Sequence, residues 1–187
     1  MNQLIEWDKR LFGLINREWT NSFFDWLFPI ARNQSTWYPL YGILLIISIY
    51  LLRKRAIWWA LFYIITVAAS DQTGMLFKNF FGRVRPCRQS VMPFRLLVEY
   101  CPSSFSFISN HASNHFAMAS FIFFSLTGMA TIYRSLFFLW AILVCYAQIY
   151  VGVHYPADVF AGAMVGFLLG WLFSKAYFFL LARIYKK

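Results

Sequence analysis

Charged residues are scarce in this sequence, and acidic residues are the scarcest of all. Charged side chains make up 13% of the 187 residues, with 7 acidic residues against 17 basic ones. A soluble domain carries about 25% charged residues, so the composition excludes an ordinary water-soluble globular protein. In their place the chain has 60% hydrophobic and 22% aromatic residues. We therefore expect an integral membrane protein of one domain, residues 1–187.

A continuous basic face is also missing, although the net charge is +10. The lysines and arginines are scattered between apolar runs, whereas a nucleic-acid duplex requires them on one surface. This pattern excludes nucleic acid as the expected partner and indicates the anionic head groups of a lipid bilayer. A cleavable signal peptide is not expected either, because the first ten residues, MNQLIEWDKR, hold four charges and no apolar core.

Five apolar runs approach the length of about 20 residues that a membrane-spanning helix needs. They predict spans at residues 37–52, 56–80, 112–132, 135–153 and 157–181. Residues 4–32 are instead amphipathic, which is typical of helices on the membrane surface; alternatively, 21–32 begins the first span. The predicted fold is an all-α, polytopic membrane helical bundle of about five to six transmembrane helices. Its interfacial helices occupy residues 1–36 and its transmembrane core 37–181.

The connections between the spans predict their orientation. The basic turn at 53–55, the turn at 133–134 and the C-terminal sequence RIYKK fall on one side, which the positive-inside rule assigns to the cytoplasm. The N-terminus, the 82–110 loop and the turn at 153–157 then face outwards. That loop is nevertheless basic, and an anionic substrate on the outer side would explain the exception. Its basic residues are Arg83, Arg85, Arg88 and Arg95.

Cysteine is rare, with three residues in the chain. Cys87 and Cys101 both lie in the outer loop, where an oxidising compartment favours a disulfide that closes the loop. Two free thiols are the alternative. Cys145 lies in the middle of a predicted span, where we expect it to pack.

Three polar clusters, distant in sequence, are predicted to meet on the outer face. The first, KNFFGRVRP, runs from Lys78 to Pro86. Gly82 and Pro86 end the helix, and the residue before a proline is pushed out of helical geometry, which places Arg85 at a bend. Arginine forks and lysine ammonium groups are common phosphate ligands. Ordinary interfacial cations are the alternative interpretation.

The second cluster is SNHASNH, residues 109–115. Ser109 is a suitable N-cap for a helix that follows, and the free amides at a helix start bind anions. His111 would lie in the first turn, where it is either a proton donor or a structural histidine.

The third cluster is VHYPAD, residues 153–158. Pro156 suits the first helical position, so Asp158 can reach back to His154. A carboxylate bonded to one ring nitrogen leaves the other nitrogen as a nucleophile, although helix capping alone is the alternative. Taken together, the clusters hold an anion cradle, a nucleophile and a proton donor, the parts needed for phosphoryl transfer through a phosphohistidine.

These residues resemble the type 2 phosphatidic acid phosphatase family of membrane lipid phosphatases. The family's first motif, Lys, six residues, Arg-Pro, is matched in full from Lys78 to Pro86. Of its second motif, Pro-Ser-Gly-His, the segment 108–111 keeps the serine and the histidine. Its third motif is Ser-Arg, five residues, His, three residues, Asp. His154 and Asp158 match it, whereas Ala147 and Gln148 stand where the family has Ser-Arg.

The resemblance implies a phosphoric monoester hydrolase that needs no metal and no cofactor. His154 would be the nucleophile, Asp158 its partner, and His111 the acid that protonates the leaving alkoxide. The implied phosphate ligands are Lys78, Arg85, Ser109 and the backbone at Asn110. The site would face the periplasm or cell exterior of a bacterial inner membrane that the chain crosses several times.

The missing arginine of the third motif calls for a substitute. We hypothesise that Gln148 still faces the phosphate and that Arg83 or Arg88 supplies the charge. The lipid itself is left open among phosphatidate, phosphatidylglycerol phosphate, a polyprenyl diphosphate and a phosphate of the lipid A type. His115 and Asp71 receive no role from the resemblance. Packing is the first expectation for His115.

Two other functions stay open at this point. A metal-dependent membrane hydrolase could use His111 and His115, spaced like a zinc-binding pair on one helix, with His154 and Asp158 completing four ligands. It leaves the cations of the first cluster unexplained. A non-catalytic protein that binds lipid phosphate is the other alternative, because the second and third motifs are incomplete.

Overall fold

The computed structural model describes residues 2–89 and 93–185, and the regular structure in these residues is helical, without strands. Seven α-helices account for most of it, which agrees with the predicted all-α class. They are α1 (Asn2–Gly13), α2 (Ser22–Ala31), α3 (Tyr38–Leu52), α4 (Ala56–Phe81), α5 (Asn110–Ser125), α6 (Thr131–Tyr150) and α7 (Pro156–Ile184).

Within the described residues, three helical stretches are long and apolar enough to cross a membrane. The first, Gln34–Phe81, contains α3 and α4, which are joined by a single 3₁₀ turn at Arg53–Arg55. The other two are α6 and α7. Helix α5 has 16 residues, too few for a full span of about 20. It lies at the centre of the bundle and packs against α4, α6 and α7.

The predicted span at 112–132 is wrong at its C-terminal end. Helix α5 ends at Ser125, and α6 begins at Thr131, four residues before the predicted start. The apolar run continues through Leu126, but the chain turns there. The guanidinium of Arg134 donates to the carbonyl oxygen of Phe123 at 2.6 Å. This bond satisfies one of the carbonyls that a helix leaves free in its last turn.

Helices α5 and α7 approach each other closely because α7 has a glycine at every fourth position. A Cβ added at Gly162, Gly166 or Gly170 would lie 2.6, 2.0 or 2.3 Å from a backbone oxygen of α5 or its N-cap. Residues four apart lie on one helix face, so the three glycines form a single contact surface. The contact brings the N-terminal ends of α5 and α7 together, where the amide of Ser109 donates to the carbonyl oxygen of Asp158 at 3.0 Å.

Helix α4 is joined to α5 by side-chain hydrogen bonds. The hydroxyl oxygens of Ser70 and Ser113 are 2.6 Å apart, and the indole of Trp59 donates to Ser125 at 2.8 Å. Helix α4 ends at Gly82, whose φ of +58° is the left-handed geometry that favours glycine. The chain then enters the long loop that precedes α5, where a disulfide joins Cys87 to Cys101. Cys145 is buried with a free thiol.

The N-terminal helices pack on the same end of the bundle as this loop. The fully buried amide of Asn16 donates to the carbonyls of Arg95 and Tyr150, both at 2.8 Å. Asp25 in α2 pairs with Arg95 at 2.5 Å. Helix α2 ends at Ala31 and is separated from α3 by a turn. The alternative in which residues 21–32 begin a span is therefore wrong.

Candidate active site

His154 lies in the turn between α6 and α7 and is only 2% exposed. Its Nε2 is 3.0 Å from a guanidinium nitrogen of Arg85, and its Nδ1 is 3.6 Å from a carboxylate oxygen of Asp158. A guanidinium can only donate, so Nε2 carries the lone pair and Nδ1 carries the proton. The arrangement leaves a neutral ring with its unprotonated nitrogen facing a cation.

The surroundings of His154 favour this neutral ring. Burial lowers the pKa of His154 to about 4, with the hydrogen bond that His154 donates to Asp158 opposing the shift and the charges of Arg85 and Lys78 reinforcing it. The ring is therefore unprotonated at neutral pH, which is the state in which a histidine nitrogen can attack.

Asp158 is fully buried in the first turn of α7 and uses both carboxylate oxygens. One oxygen accepts from the amide of Tyr155 at 2.9 Å and from the hydroxyl of Ser106. The other pairs with Arg83 at 2.6 Å. These bonds fix the carboxylate in place and hold it beside the Nδ1 of His154. The sequence did not reveal Ser106, since serines are frequent in this loop and none has a distinctive spacing.

Arg83 is held between two carboxylates. Besides Asp158, it pairs with Asp8 of α1 at 2.5 Å, and its guanidinium lies 4.1 Å above the ring of Tyr155. The other oxygen of Asp8 accepts from the amide of Ala157 at 2.8 Å. Arg83 therefore positions Asp158, and its two ion pairs do not favour the predicted role as a substitute for the missing phosphate-binding cation. Arg88, the other candidate, is exposed and donates to the carbonyl of Ser103 at 2.9 Å.

Arg85 is buried at the bend before Pro86, in extended geometry. It donates to Val153 and Ser104 as well as facing His154. Burial lowers the pKa of Arg85 to about 10, which still leaves it charged at neutral pH. Lys78, in the last turn of α4, donates to the carbonyls of Ile108 at 2.6 Å and Phe105 at 3.1 Å. Its ammonium group thus holds the loop segment that carries Ser106.

Ser109 is the N-cap of α5, and its hydroxyl accepts from the amide of Ala112 at 3.4 Å. His111 lies in the first turn of this helix, beside a cavity of about 470 Å³. The side chain of Asn110 points to α4, where it donates to Asp71 at 2.8 Å. Only the backbone of Asn110 is therefore free to serve the predicted anion site.

Gln148 is fully buried, and in the described part of the chain neither polar atom of its side chain has a hydrogen-bond partner. The backbone carbonyl oxygen of Gln148, in contrast, accepts from the backbone amides of Val153 at 3.2 Å and His154 at 3.3 Å. The backbone at position 148 thus supports the turn that carries the histidine. A buried side chain without partners is uncommon and leaves hydrogen-bonding capacity available to a ligand.

Arg32 is a partly buried cation that lies outside every motif. It follows α2, and within residues 2–89 and 93–185 its Nε has no partner. Burial is the main cause that lowers the pKa of Arg85, and the charge of Arg32 acts in the same direction.

The ligand set of the metal-dependent alternative is not assembled. Among the residues that the structure describes, no three His, Cys, Asp or Glu side chains lie close enough to hold a metal ion. The rings of His111 and His115 are parallel with centroids 6.3 Å apart, and Nδ1 of His115 is bonded to the carbonyl of His111. His154 instead faces Arg85 and Asp158.

Three known proteins resemble the chain in sequence. A lipid A 4'-phosphatase of Bacteroides thetaiotaomicron is 32% identical over 162 residues, covering 81% of this chain and 68% of that protein. A lipid A 4'-phosphatase of Porphyromonas gingivalis is 28% identical, and the match covers 98% of this chain and 78% of that protein. An undecaprenyl-diphosphatase of Sulfolobus acidocaldarius is 29% identical, and the match covers 91% of this chain and 78% of that protein.

The fold also matches a solved structure. A transmembrane PAP2-type phosphatidylglycerolphosphate phosphatase from Bacillus subtilis superposes with a TM-score of 0.75, over 98% of this chain and 90% of that one, at 22% identity. The sequence model of the PAP2 superfamily matches residues 56–181, the segment that contains the buried histidine, its carboxylate and the neighbouring cations. The chain belongs to the PAP2 superfamily.

Proposed function

We propose that this protein is an integral membrane lipid phosphatase that releases inorganic phosphate through a phosphohistidine at His154. The observation that carries the proposal is the 3.0 Å contact between Nε2 of His154 and the guanidinium of Arg85. A ring nitrogen with a lone pair beside a buried guanidinium supports the roles of nucleophile and phosphate-binding cation that we propose for these two residues. Membership of the PAP2 superfamily and the phosphatase names of the relatives support the reaction class.

In the first step, Nε2 of His154 attacks the phosphorus atom while the bond from phosphorus to the lipid oxygen breaks. His111 donates a proton to the departing oxygen, which leaves as an alcohol. The phosphoryl oxygens replace His154 as partners of Arg85. The proton on Nδ1 stays in place, and the carboxylate of Asp158 stabilises the positive charge that develops on the ring.

In the second step, a water molecule attacks the phosphohistidine, and the bond between phosphorus and Nε2 breaks. The now neutral His111 accepts a proton from the water, as general acid–base catalysis in both directions requires. Inorganic phosphate leaves, and His154 returns to its neutral form. The exchange needs neither a metal nor a reductant, because every proton moves between the water, the leaving alcohol and His111.

The phosphate ligands in this proposal differ from those that the resemblance implies. Arg85, the backbone at Asn110 and the side chain of Gln148 keep their roles. Lys78 holds the loop from Phe105 to Ile108 and contributes its charge from there. Arg32 is the proposed source of the cation that the third motif lacks, since it is partly buried, its Nε has no partner among the described residues, and its charge acts on the pKa of Arg85.

The proposed substrate is a phosphomonoester of the lipid A type. Two of the sequence relatives are named for the removal of such a phosphate, and one of them covers 98% of this chain. A polyprenyl diphosphate is the competing substrate, since the third relative is named for it. Both are lipids that reach the site from the membrane.

The test is phosphate release by the purified, detergent-solubilised protein from a lipid A phosphate, phosphatidate, phosphatidylglycerol phosphate and undecaprenyl diphosphate. We expect His154→Ala to reduce release from every active substrate by about three orders of magnitude or more. Acid-labile, base-stable labelling of the wild-type chain by a ³²P-labelled substrate would identify the phosphohistidine. Wild-type turnover in His154→Ala would refute the nucleophile.

A further inference from the structure

A cavity of about 470 Å³ opens beside His111, between α4 and α5. One part of its lining is apolar and aromatic and includes Tyr41 and Tyr63. The other part is polar and includes Asp71, Asn114 and His115. None of these polar residues takes part in the proposed phosphoryl transfer, so their presence in an otherwise apolar bundle calls for a separate explanation.

The polar wall offers hydrogen-bond acceptors from Asp71, Asn114 and His115. One oxygen of the Asp71 carboxylate accepts from the amide nitrogens of Asn110 at 2.8 Å and Asn114 at 3.3 Å. A carboxylate can only accept, so this contact directs the NH₂ group of Asn114 towards Asp71 and leaves its oxygen for another partner. In the described part of the chain that oxygen has none.

His115 adds a second acceptor to the same wall. Its Nδ1 lies 2.8 Å from the carbonyl oxygen of His111, so the proton is on Nδ1 and Nε2 has a free lone pair. This Nε2 is also buried without a partner within residues 2–89 and 93–185. The oxygen of Asn110 does not belong to this set, because it packs against Gly74 of α4.

These acceptors favour a ligand that is rich in hydroxyl or N–H donors. A hydrocarbon tail offers no donors, and a second phosphate would be repelled by the carboxylate of Asp71. A lining that combines aromatic rings with polar acceptors instead suits the apolar face and the hydroxyl edge of a sugar or another polyol.

We infer that this cavity is a subsite for a neutral, hydroxyl-bearing leaving group, such as the sugar of a glycolipid phosphate. The inference rests on the proposed function, because the cavity reaches His111, the residue that would protonate the departing oxygen. The group attached to that oxygen must lie on the side of His111, whereas the phosphoryl group lies on the side of His154. The subsite thus selects sugar and polyol phosphates against polyprenyl diphosphate.

The test compares Asp71→Asn and Asn114→Leu with the wild type on three substrates: a lipid A phosphate, phosphatidate and undecaprenyl diphosphate. Gln72→Ala, an exposed position next to Asp71 on α4, is the matched control. We expect kcat/KM on the lipid A phosphate to fall by about 10- to 100-fold in each site variant, because each loses hydrogen bonds to a charged or oriented group. The loss on phosphatidate should be at least about tenfold smaller.

For undecaprenyl diphosphate we expect the relative activity of Asp71→Asn to change in the opposite direction. Asp71→Asn removes the negative charge, so the ratio of diphosphate to sugar-phosphate turnover should rise by more than about tenfold. Equal losses on all three substrates would mean that Asp71 and Asn114 only support the fold, and unchanged ratios would mean that the cavity does not contact the substrate. Either result overturns the subsite. Failure of the phosphatase proposal is distinct, since no lipid would then release phosphate in a manner that depends on His154.

Phosphatidylglycerol phosphate tests whether the subsite recognises only the hydroxyl groups of a sugar or also those of a glycerol head group. A sugar-specific subsite predicts that Asp71→Asn affects this substrate less than the lipid A phosphate. A general polyol subsite predicts equal losses on the two, because the glycerol head group also carries a hydroxyl. Both outcomes support the inference and differ only in its breadth. A larger loss on phosphatidate than on either would contradict it.

Discussion

At the scale of single residues, the environment of His154 makes a prediction about pH. Burial lowers the pKa of this histidine to about 4 from its usual 6.5. The ring is therefore neutral, and able to attack, at every pH above about 4, and the nucleophile is lost as the pH falls through that value. Nitrogen-15 NMR of the labelled protein in detergent should show the ring of His154 titrating near pH 4. A midpoint at or above pH 6 would contradict the assigned environment.

A second prediction at this scale concerns the missing arginine of the third motif. If Arg32 supplies the lost charge, Arg32→Ala should lower kcat/KM by about 10- to 100-fold, the usual worth of a hydrogen bond to a charged group. Arg17→Ala removes the same charge from an exposed position of the N-terminal segment and should have little effect. Adding Gln148→Arg to Arg32→Ala should restore part of the activity. Equal behaviour of Arg32→Ala and Arg17→Ala would exclude Arg32 from the phosphate site.

At the scale of elements, the contact between α5 and α7 controls the distance between the two proposed catalytic histidines. A side chain at Gly166 would begin 2.0 Å from the carbonyl oxygen of Ser113, so Gly166→Leu must separate the helices. Overpacking of this kind costs about 1–3 kcal/mol. We expect a lower unfolding temperature in detergent and a loss of turnover. Gly42→Leu, where an added Cβ meets no atom within 4 Å, is the matched control and should behave like the wild type.

The same scale explains what the sequence could and could not predict. The bounds of α3 and α4 were predicted to within one residue, because Arg53–Arg55 and Gly82 interrupt the apolar runs. The end of α5 was not predicted correctly, because the turn at 126–130 includes apolar residues and no proline. The pairing of His154 with Asp158 follows from spacing within one turn. Asp8 left no such signal, since tertiary packing alone brings it to Arg83 and Ala157 from a distant segment.

At the scale of the whole molecule, the two ends of the bundle differ in chemistry. The described loop residues, 82–89 and 93–109, share one end with the turn at His154 and the N-terminal helices, as the hydrogen bonds of Asn16 and the ion pairs of Arg83 require. The basic turn at 53–55 lies at the other end, beside the end of α7, where Arg55 stacks 5.2 Å from the ring of Tyr185. By the positive-inside rule, we propose that the active site faces the periplasm of a bacterial inner membrane.

Helix α1 contacts the proposed active site through Asp8. It exposes Leu4 and Trp7, the latter by 66%, as expected of a helix that rests on lipid. Its next residue, Asp8, is nearly buried and bonds to both Arg83 and the first turn of α7. The helix that contacts the membrane would thus hold the arginine that positions Asp158. Loss of this link should impair the chemical step more than lipid binding.

The final prediction tests whether Asp8 affects the chemical step rather than lipid binding. Asp8→Asn removes the charge but keeps the size of the side chain, so Arg83 should shift while α1 stays docked. We expect kcat to fall by about tenfold with KM little changed, and Asp8→Glu to recover part of the loss. Glu6→Gln makes the same change on the same helix at an exposed surface pair with Lys9, where the expected effect is small. Equal kinetics for Asp8→Asn and Glu6→Gln, or a loss confined to KM, would mean that α1 contributes to membrane binding alone.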